Sequence, residues 1–283
     1  MNSSKERPGT IPALGKCAIA ILLIAGALRF VGIGFGMPHW LVNDELPLIG
    51  GALRMLELRN PIPSMNPQAM AILYYPPAVP WLYLVIWAPI LAIRWAHLGF
   101  PALQVFAESL LTDLNAIWLS SRAVSALCGV ATVWVVMRLA SEVFQDRRAG
   151  LIAGALQATS FHHLLVDHFA RVWSPAVLLF WCGLWAAWRV YAKGERRDYV
   201  FAAVAAGLGF AGNYVPVLTS IAVAVAHLAR HRRLAVDRSI LLYAAIVAAF
   251  IAVVLAASWH DFIRLGGYSA VLGPAVVASG SGQ

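Results

Sequence analysis

The chain has 283 residues, of which 61% are hydrophobic and 12% are charged, and its mean hydropathy is +0.74. A soluble globular domain carries about 25% charged residues, so this composition excludes a soluble protein, a disordered chain and a disulfide-stabilised scaffold, and it indicates a polytopic membrane protein. The net charge of +8 is explained by basic cytoplasmic loops, which makes a nucleic-acid partner unnecessary.

Several apolar runs approach the length of about 20 residues that a membrane-spanning helix needs. In chain order they are 13–36, 80–96, 123–143, 150–166, 175–191, 200–228 and 240–259. Basic residues cluster in the N-terminal tail and at 147–148, 193–197 and 230–238. Because basic loops stay on the cytoplasmic side, all four clusters are predicted to lie there.

An even number of crossings must therefore separate neighbouring basic clusters. The run 80–96 is predicted not to cross but to form a partly embedded juxtamembrane helix on the outer side. The run 200–228 is predicted to cross twice, as a hairpin of two short helices broken around Gly209, Asn213 and Pro216.

These predictions define an all-α fold, a polytopic helical membrane protein with about seven transmembrane helices. The N-terminus is expected in the cytoplasm, and the long first loop, 37–122, is expected outside as juxtamembrane helices. Residues 1–277 are predicted to form a single membrane-embedded module, followed by a flexible tail at 278–283.

The first outer loop opens with adjacent acids, Asp44 and Glu45, shortly before Pro47. One interpretation is structural, with Asn43 or Asp44 capping a helix that begins near Pro47. The other is catalytic, because carboxylates at the point where a helix leaves the bilayer are well placed to act as a base.

The remainder of this loop is amphipathic and aromatic. A helix lying in the interface is predicted, with Leu48, Ile49, Leu53 and Leu56 on its apolar side and Arg54, Glu57 and Arg59 opposite. Tyr74 and Tyr75 fit an interfacial aromatic belt, or a groove for a lipid or sugar ring.

Arg29, Arg122 and Arg171 are all predicted to approach the outer face. Each could extend to lipid headgroups. Together beside Asp44 and Glu45 they would form a lipid-phosphate site, because the planar guanidinium donates paired hydrogen bonds to phosphate. The other acids predicted on the outer side are Glu108, Asp113 and Asp167.

Three histidines, His162, His163 and His168, fall within seven residues but do not share one helix face, so packing is favoured over a zinc site. The three cysteines, Cys17, Cys128 and Cys182, have no metal-ligand spacing and are interpreted as packing residues. The sequence therefore assigns no metal ligand and no definite cofactor, and it leaves undecided whether a divalent metal is needed.

Several motifs follow one another over residues 18–259, and their order and spacing resemble those of the membrane-embedded C-type glycosyltransferases. Within that superfamily the series is most similar to bacterial relatives of the dolichyl-phosphate-mannose-protein mannosyltransferases and of lipopolysaccharide sugar transferases. The motifs are Arg29, Asp44-Glu45, Asn60-Pro61, Tyr75-Pro76-Pro77, the stretches 121–129 and 146–153, and His168-Phe169-Ala170-Arg171.

The resemblance implies inverting transfer of a sugar from a polyprenyl-phosphate-linked donor to a glycan, lipid or protein acceptor on the outer face of the membrane. Asp44 stands at the position of the catalytic base, and Glu45 is the adjacent acid. Arg122 and Arg171 are the candidates for contact with the leaving phosphate. His168, Tyr74 and Tyr75 complete the predicted substrate-binding set.

The expected location is the bacterial inner membrane, with membrane lipids as further partners. Two alternatives remain. The broken hairpin is also compatible with a lipid or solute transporter. The second is a non-catalytic relative or partner subunit, because relatives usually continue with more helices and this chain could be a fragment, a truncated gene product or a minimal member.

Overall fold

A computed structural model describes residues 15–37, 43–66, 69–70, 73, 75–232 and 236–264. These residues form α-helices, short 3-10 helices and turns but no strand, which confirms the all-α prediction. The α-helices are α1 (Lys16–Phe30), α2 (Leu46–Glu57), α3 (Ala78–His97), α4 (Leu103–Thr112), α5 (Asn115–Phe144), α6 (Arg147–Thr159), α7 (Phe161–Asp167), α8 (Trp173–Ala192), α9 (Arg196–Gly212), α10 (Thr219–His231) and α11 (Arg238–Arg264). The predicted tail at 278–283 lies outside the described residues.

Four of these helices are long and apolar enough to cross a membrane: α3, α5, α8 and the part of α11 over Arg238–Trp259. The pair α6 and α7, bent by 58°, makes a fifth if it forms one broken span. Helix α1 has 15 residues and is shorter than a full span. Since α3 is itself long enough to cross, its predicted juxtamembrane position rests on the distribution of basic residues and stays a prediction.

The predicted hairpin is present. Helix α9 ends at Gly212, a 3-10 turn follows at Val215–Leu218, and α10 returns alongside. The Tyr199 hydroxyl near the start of α9 lies 2.6 Å from His227 Nδ1 near the end of α10, so the two helices are antiparallel. A Cβ on Gly209 would overlap the Pro216 ring, which explains the glycine at this close approach.

The helix bundle has two ends, and one of them carries the basic loops. At one end a Cβ on Gly15 would meet the Arg147 guanidinium, and Arg230 Nη1 donates to the Tyr191 carbonyl oxygen at 2.9 Å. The first contact joins the starts of α1 and α6, and the second joins the ends of α8 and α10. We call this the basic end. The opposite end, where α1 and α7 finish and α5 begins, carries the first loop, and we call it the loop end.

The first loop is folded, but the predicted buried face of α2 was partly wrong. Leu48 and Ile49 are buried as predicted, whereas Leu56 is 40% exposed and the other buried positions include Ala52 and Met55. The spacing 48, 52, 55 follows the helical repeat more closely, and these residues pack on Trp87 and Trp118 in one core.

The predicted helix cap was also wrong for the described side chains. Residues Asn43–Glu45 form a 3-10 turn, and the residue at the N-cap position of α2 is Glu45, whose side chain makes no capping hydrogen bond. The Asn43 side chain lies outside the described part of the structure. Glu45 does not cap because its carboxylate is engaged elsewhere.

Candidate active site

The Glu45 carboxylate is completely buried at the loop end and accepts four hydrogen bonds. Arg122 donates two of them as a fork, from Nε to Oε1 at 2.8 Å and from Nη2 to Oε2 at 2.7 Å. The Trp118 indole donates to Oε2 at 3.1 Å, and the Ala170 backbone N–H donates to Oε1 at 2.7 Å. Glu45 thus joins the first loop to α5 and to the connection between α7 and α8.

The Arg122 guanidinium is equally buried and is satisfied by protein groups. Besides Glu45, its Nη1 donates to the carbonyl oxygens of Ile33 at 2.8 Å and Phe35 at 2.7 Å, just beyond the end of α1. The Phe169 ring lies under the guanidinium, with its centroid 5.7 Å from Cζ. A buried ion pair is stable only when its remaining hydrogen-bonding groups also have partners. Trp118, the Ala170 amide and two carbonyl oxygens provide those partners for Glu45 and Arg122.

Asp44 has the opposite environment, although it is the adjacent residue. Its side chain is 63% exposed and forms an ion pair with Arg171 Nη2. Arg171 is only 25% exposed, and its buried Nε has no hydrogen-bond partner among the described residues. Burial also lowers the pKa of the Arg171 guanidinium, although arginine stays charged in proteins. The Nε–H group of Arg171 is therefore available as a hydrogen-bond donor beside the accessible carboxylate of Asp44.

A second buried ion pair lies deeper in the bundle. Arg29 Nε donates to Asp167 Oδ2 at 2.8 Å, and Arg29 Nη1 donates to the Ala25 and Ala158 carbonyl oxygens at 3.2 Å. The pair passes so close to α5 that a Cβ on Gly129 would overlap both Asp167 Oδ2 and Arg29 Nε. A glycine is therefore required at this point of the helix.

Residues 167–171 hold the site together, because each of them contacts another element. Asp167 pairs with Arg29, Phe169 lies under Arg122, Ala170 donates to Glu45, and Arg171 pairs with Asp44. The His168 ring is enclosed by carbonyl oxygens, with Nδ1 2.6 Å from Leu164 O and Nε2 2.9 Å from Val31 O. This connection, which we call the α7–α8 connection, thus ties α1, α5 and the first loop to α8.

The family model for dolichyl-phosphate-mannose-protein mannosyltransferase matches residues 109–259, which is more than half of the chain. The chain belongs to this family. It is accordingly a glycosyltransferase and a multi-pass integral membrane protein, and the family in general uses polyprenyl-phosphate sugar donors. Comparison with curated proteins and comparison with solved structures each give no match.

The family match begins in α4, so it includes Arg122, Asp167 and Arg171 but not Asp44 or Glu45. The four hydrogen bonds of Glu45 are what attach these first-loop acids physically to the mannosyltransferase-like region. Two of the three predicted arginines, Arg122 and Arg171, lie beside the acids, whereas Arg29 is paired with Asp167 instead.

The other predicted site residues are distributed as follows. Tyr74 lies outside the described residues, and Tyr75 is partly buried against the core formed by α2, α3 and the start of α5. His168 lies in the α7–α8 connection, and the rings of His162 and His163 meet edge to face at 6.2 Å. No described group of potential metal ligands includes any of these three histidines.

Sequence reasoning missed the roles of two residues and one pairing that shape the site. Trp118 lies four residues before Arg122 on the same helix face, which is a pattern that could have indicated a shared partner. Gly129 sits inside an otherwise apolar helix, where a glycine often marks a close approach. The pairing of Asp167 with Arg29 had no local signal, because 138 residues separate them.

Proposed function

We propose that this chain transfers a sugar from a polyprenyl-phosphate-linked donor to an acceptor hydroxyl at the loop end, with inversion and with Asp44 as the base. The observation that carries the proposal is the contrast between Asp44, which is accessible and forms an ion pair with Arg171, and Glu45, which is fixed by four hydrogen bonds. A base needs a fixed backbone and an accessible carboxylate, and the pair of acids supplies both.

In the proposed reaction, Asp44 takes the proton of the acceptor hydroxyl as its oxygen attacks the anomeric carbon. The bond between that carbon and the phosphate oxygen breaks on the opposite face, and the polyprenyl phosphate leaves with the bonding electrons. A positioned cation stabilises the charge that develops on the leaving phosphate. Arg171 fits this role best, because its Nε is an unused donor in a partly buried site.

Donor binding then changes the partner of Arg171. Phosphate competes with Asp44 for the guanidinium, since both are anions and phosphate suits the planar fork. The exchange releases the Asp44 carboxylate to accept a proton when the donor is in place. Arg122, by contrast, already donates two hydrogen bonds to Glu45 and two to carbonyl oxygens, which supports a positioning role for Arg122 and Glu45 instead of direct contact with substrate.

The proposed function includes an orientation of the chain in the membrane. The basic end would face the cytoplasm, because basic loops are retained there, and the loop end would face the outside of a bacterial inner membrane. The acceptor would be a glycan, lipid or protein presented at that outer surface, and His168 and Tyr75 would line the path of the donor or acceptor.

The direct test replaces Asp44 with asparagine. Membranes containing the full chain are incubated with polyprenyl phosphate carrying radiolabelled mannose, and label transferred to lipid, glycan and protein fractions is counted. A positioned base contributes about 10²–10⁴-fold, so Asp44→Asn should lower the transfer rate by that factor.

Glu57→Gln is the matched control, because the Glu57 side chain is 66% exposed in the same loop and is paired with Arg54. Its transfer rate should equal that of the unmodified chain. Equal rates for Asp44→Asn and Glu57→Gln would remove the proposed role of Asp44. Donor binding without any transfer by the unmodified chain would favour a non-catalytic relative.

A further inference from the structure

A second cluster of polar side chains lies at the basic end, away from the proposed active site. It contains His227 and His231 in the last turns of α10 and Asp237 just before α11. One ring nitrogen of each histidine and one carboxylate oxygen lie within 4.8 Å of one another. The closest measured pair, His231 Nε2 and Asp237 Oδ2, is separated by 3.6 Å.

The two histidines are four residues apart, which places them on the same face of α10. Their rings are close neighbours, with centroids 4.4 Å apart. This is the spacing by which a single helix presents two imidazole ligands to one metal ion. His227 is buried and His231 is half-buried, so the cluster is accessible from the His231 side.

The groups behind the cluster orient its side chains. The Tyr199 hydroxyl lies 2.6 Å from His227 Nδ1 and holds the ring against α9. Asp237 Oδ1 accepts the backbone N–H groups of Ser239 at 2.8 Å and Ile240 at 3.0 Å. Oδ2 is thereby turned toward His231, and the hydrogen bond from Ile240 is the largest cause that lowers the pKa of the Asp237 carboxyl.

We propose that His227, His231 and Asp237 bind one divalent transition-metal ion of the zinc type, with the fourth position open to water. Ligand atoms of a tetrahedral zinc site, at bond lengths of about 2.0–2.1 Å, lie roughly 3.3 Å apart. The His231–Asp237 separation of 3.6 Å is close to that value, and the His227 ligand atom lies within 4.8 Å of both. Histidine nitrogens favour zinc-like metals over Mg²⁺ or Ca²⁺, which prefer oxygen ligands.

The neighbouring Arg230 has a hydrogen-bond partner outside the cluster. Arg230 Nη1 donates to the Tyr191 carbonyl oxygen at 2.9 Å. A bound ion would join the end of α10 to the start of α11, and so connect the hairpin to the last described helix. This proposal is independent of the role proposed for Asp44.

The test measures Zn²⁺ binding to the purified full chain in detergent, without a polyhistidine tag and after treatment with a chelator. Competition with a chromophoric zinc indicator gives stoichiometry and affinity, and Co²⁺ substitution gives the visible absorption of a tetrahedral site. We expect one equivalent per chain. His231→Gln and Asp237→Asn should abolish it, and Asp237→Asn retains a side-chain oxygen that can still cap α11.

Tyr199→Phe provides a sharper criterion. It removes only the hydroxyl that orients His227, and loss of such an outer partner typically weakens metal binding by about 10–100-fold. His162→Gln, at an exposed histidine near the loop end, is the matched control and should bind as the unmodified chain does. Less than one equivalent in the unmodified chain, or equal affinity in His231→Gln and His162→Gln, would overturn the proposal.

Discussion

At the scale of single residues, the two adjacent acids of the first loop have opposite environments. Glu45 is completely buried and saturated, whereas the Asp44 side chain is 63% exposed. Neighbouring residues in a 3-10 turn point in different directions, so one can anchor the backbone while the other faces the solvent. A change at Glu45 should therefore act mainly on stability, and a change at Asp44 mainly on catalysis.

Gly129 gives a residue-scale prediction about the buried pair of Arg29 and Asp167. A methyl group at this position would overlap both partners, so Gly129→Ala should separate them. Breaking a buried ion pair costs about 3–5 kcal/mol, because the charges lose their partner without regaining water. Thermal unfolding of the protein in detergent or nanodiscs should show a clear fall in Tm.

Gly26→Ala is the matched control for this substitution. Gly26 also lies inside a helix, but a Cβ there has no neighbour within 4 Å. The change should be neutral or stabilising, by up to about 1 kcal/mol from helix propensity. Equal Tm values for the two alanine variants would contradict the role assigned to Gly129.

At the scale of elements, the α7–α8 connection contacts the end of α1, helix α5 and the first loop at the same time. The Ala170 amide, which donates to Glu45, is completely buried. Hydrogen exchange in 168–172 should therefore be slow in the unmodified chain. Glu45→Gln should speed it markedly, because a neutral amide can no longer serve Arg122 and Ala170 together.

Exchange measured by mass spectrometry checks this expectation, with the connection between α8 and α9 as the internal reference. That segment contains Lys193 and Gly194 at the basic end and has no contact with Glu45. Its exchange rate should not change. A uniform acceleration over both connections would indicate global destabilisation instead of local release of the α7–α8 connection.

The sequence was most informative about elements whose signal is local. Helices α5 and α8 fall where apolar runs predict them, and the hairpin break was visible in Gly209, Asn213 and Pro216. The face of α2 was harder, because Leu56 is more hydrophobic than Ala52 yet is the exposed one. Packing selects the residue that fits against α3, and hydrophobicity alone does not reveal that choice.

The candidate site was predictable in its residues but not in its pairs. Asp44, Glu45, Arg122 and Arg171 could all be singled out from residue type and motif order. Which acid meets which arginine depends on contacts between positions far apart in the chain, such as the 77 residues from Glu45 to Arg122. A single sequence contains no direct record of such contacts.

At the scale of the whole molecule, the charge difference between the two ends predicts its orientation. Single cysteines at Gln104, in the first loop, and at Lys193, at the basic end, should report opposite sides of the membrane. Both positions are exposed. Labelling with a membrane-impermeant maleimide in intact cells, in a background with Cys17, Cys128 and Cys182 replaced, should modify only the cysteine at 104.

Permeabilised cells serve as the reference, since both cysteines should then react. If both residues react in intact cells, or if neither does, the first loop and the basic end share one side. The prediction that residues 80–96 do not cross would then be wrong, because one additional crossing would move the loop between α3 and α5 to the cytoplasmic side.

The pairing of Arg29 with Asp167 also has a consequence for biogenesis. Helix α1 is short and carries Arg29 in its last turn, and an unpaired arginine within a membrane segment is costly to insert. Its neutralising partner is synthesised 138 residues later. During translation, α1 would therefore remain beside the insertion machinery or at the membrane surface until α7 emerges. In this order of events, α1 would be fixed in the bundle only after α7 has been made.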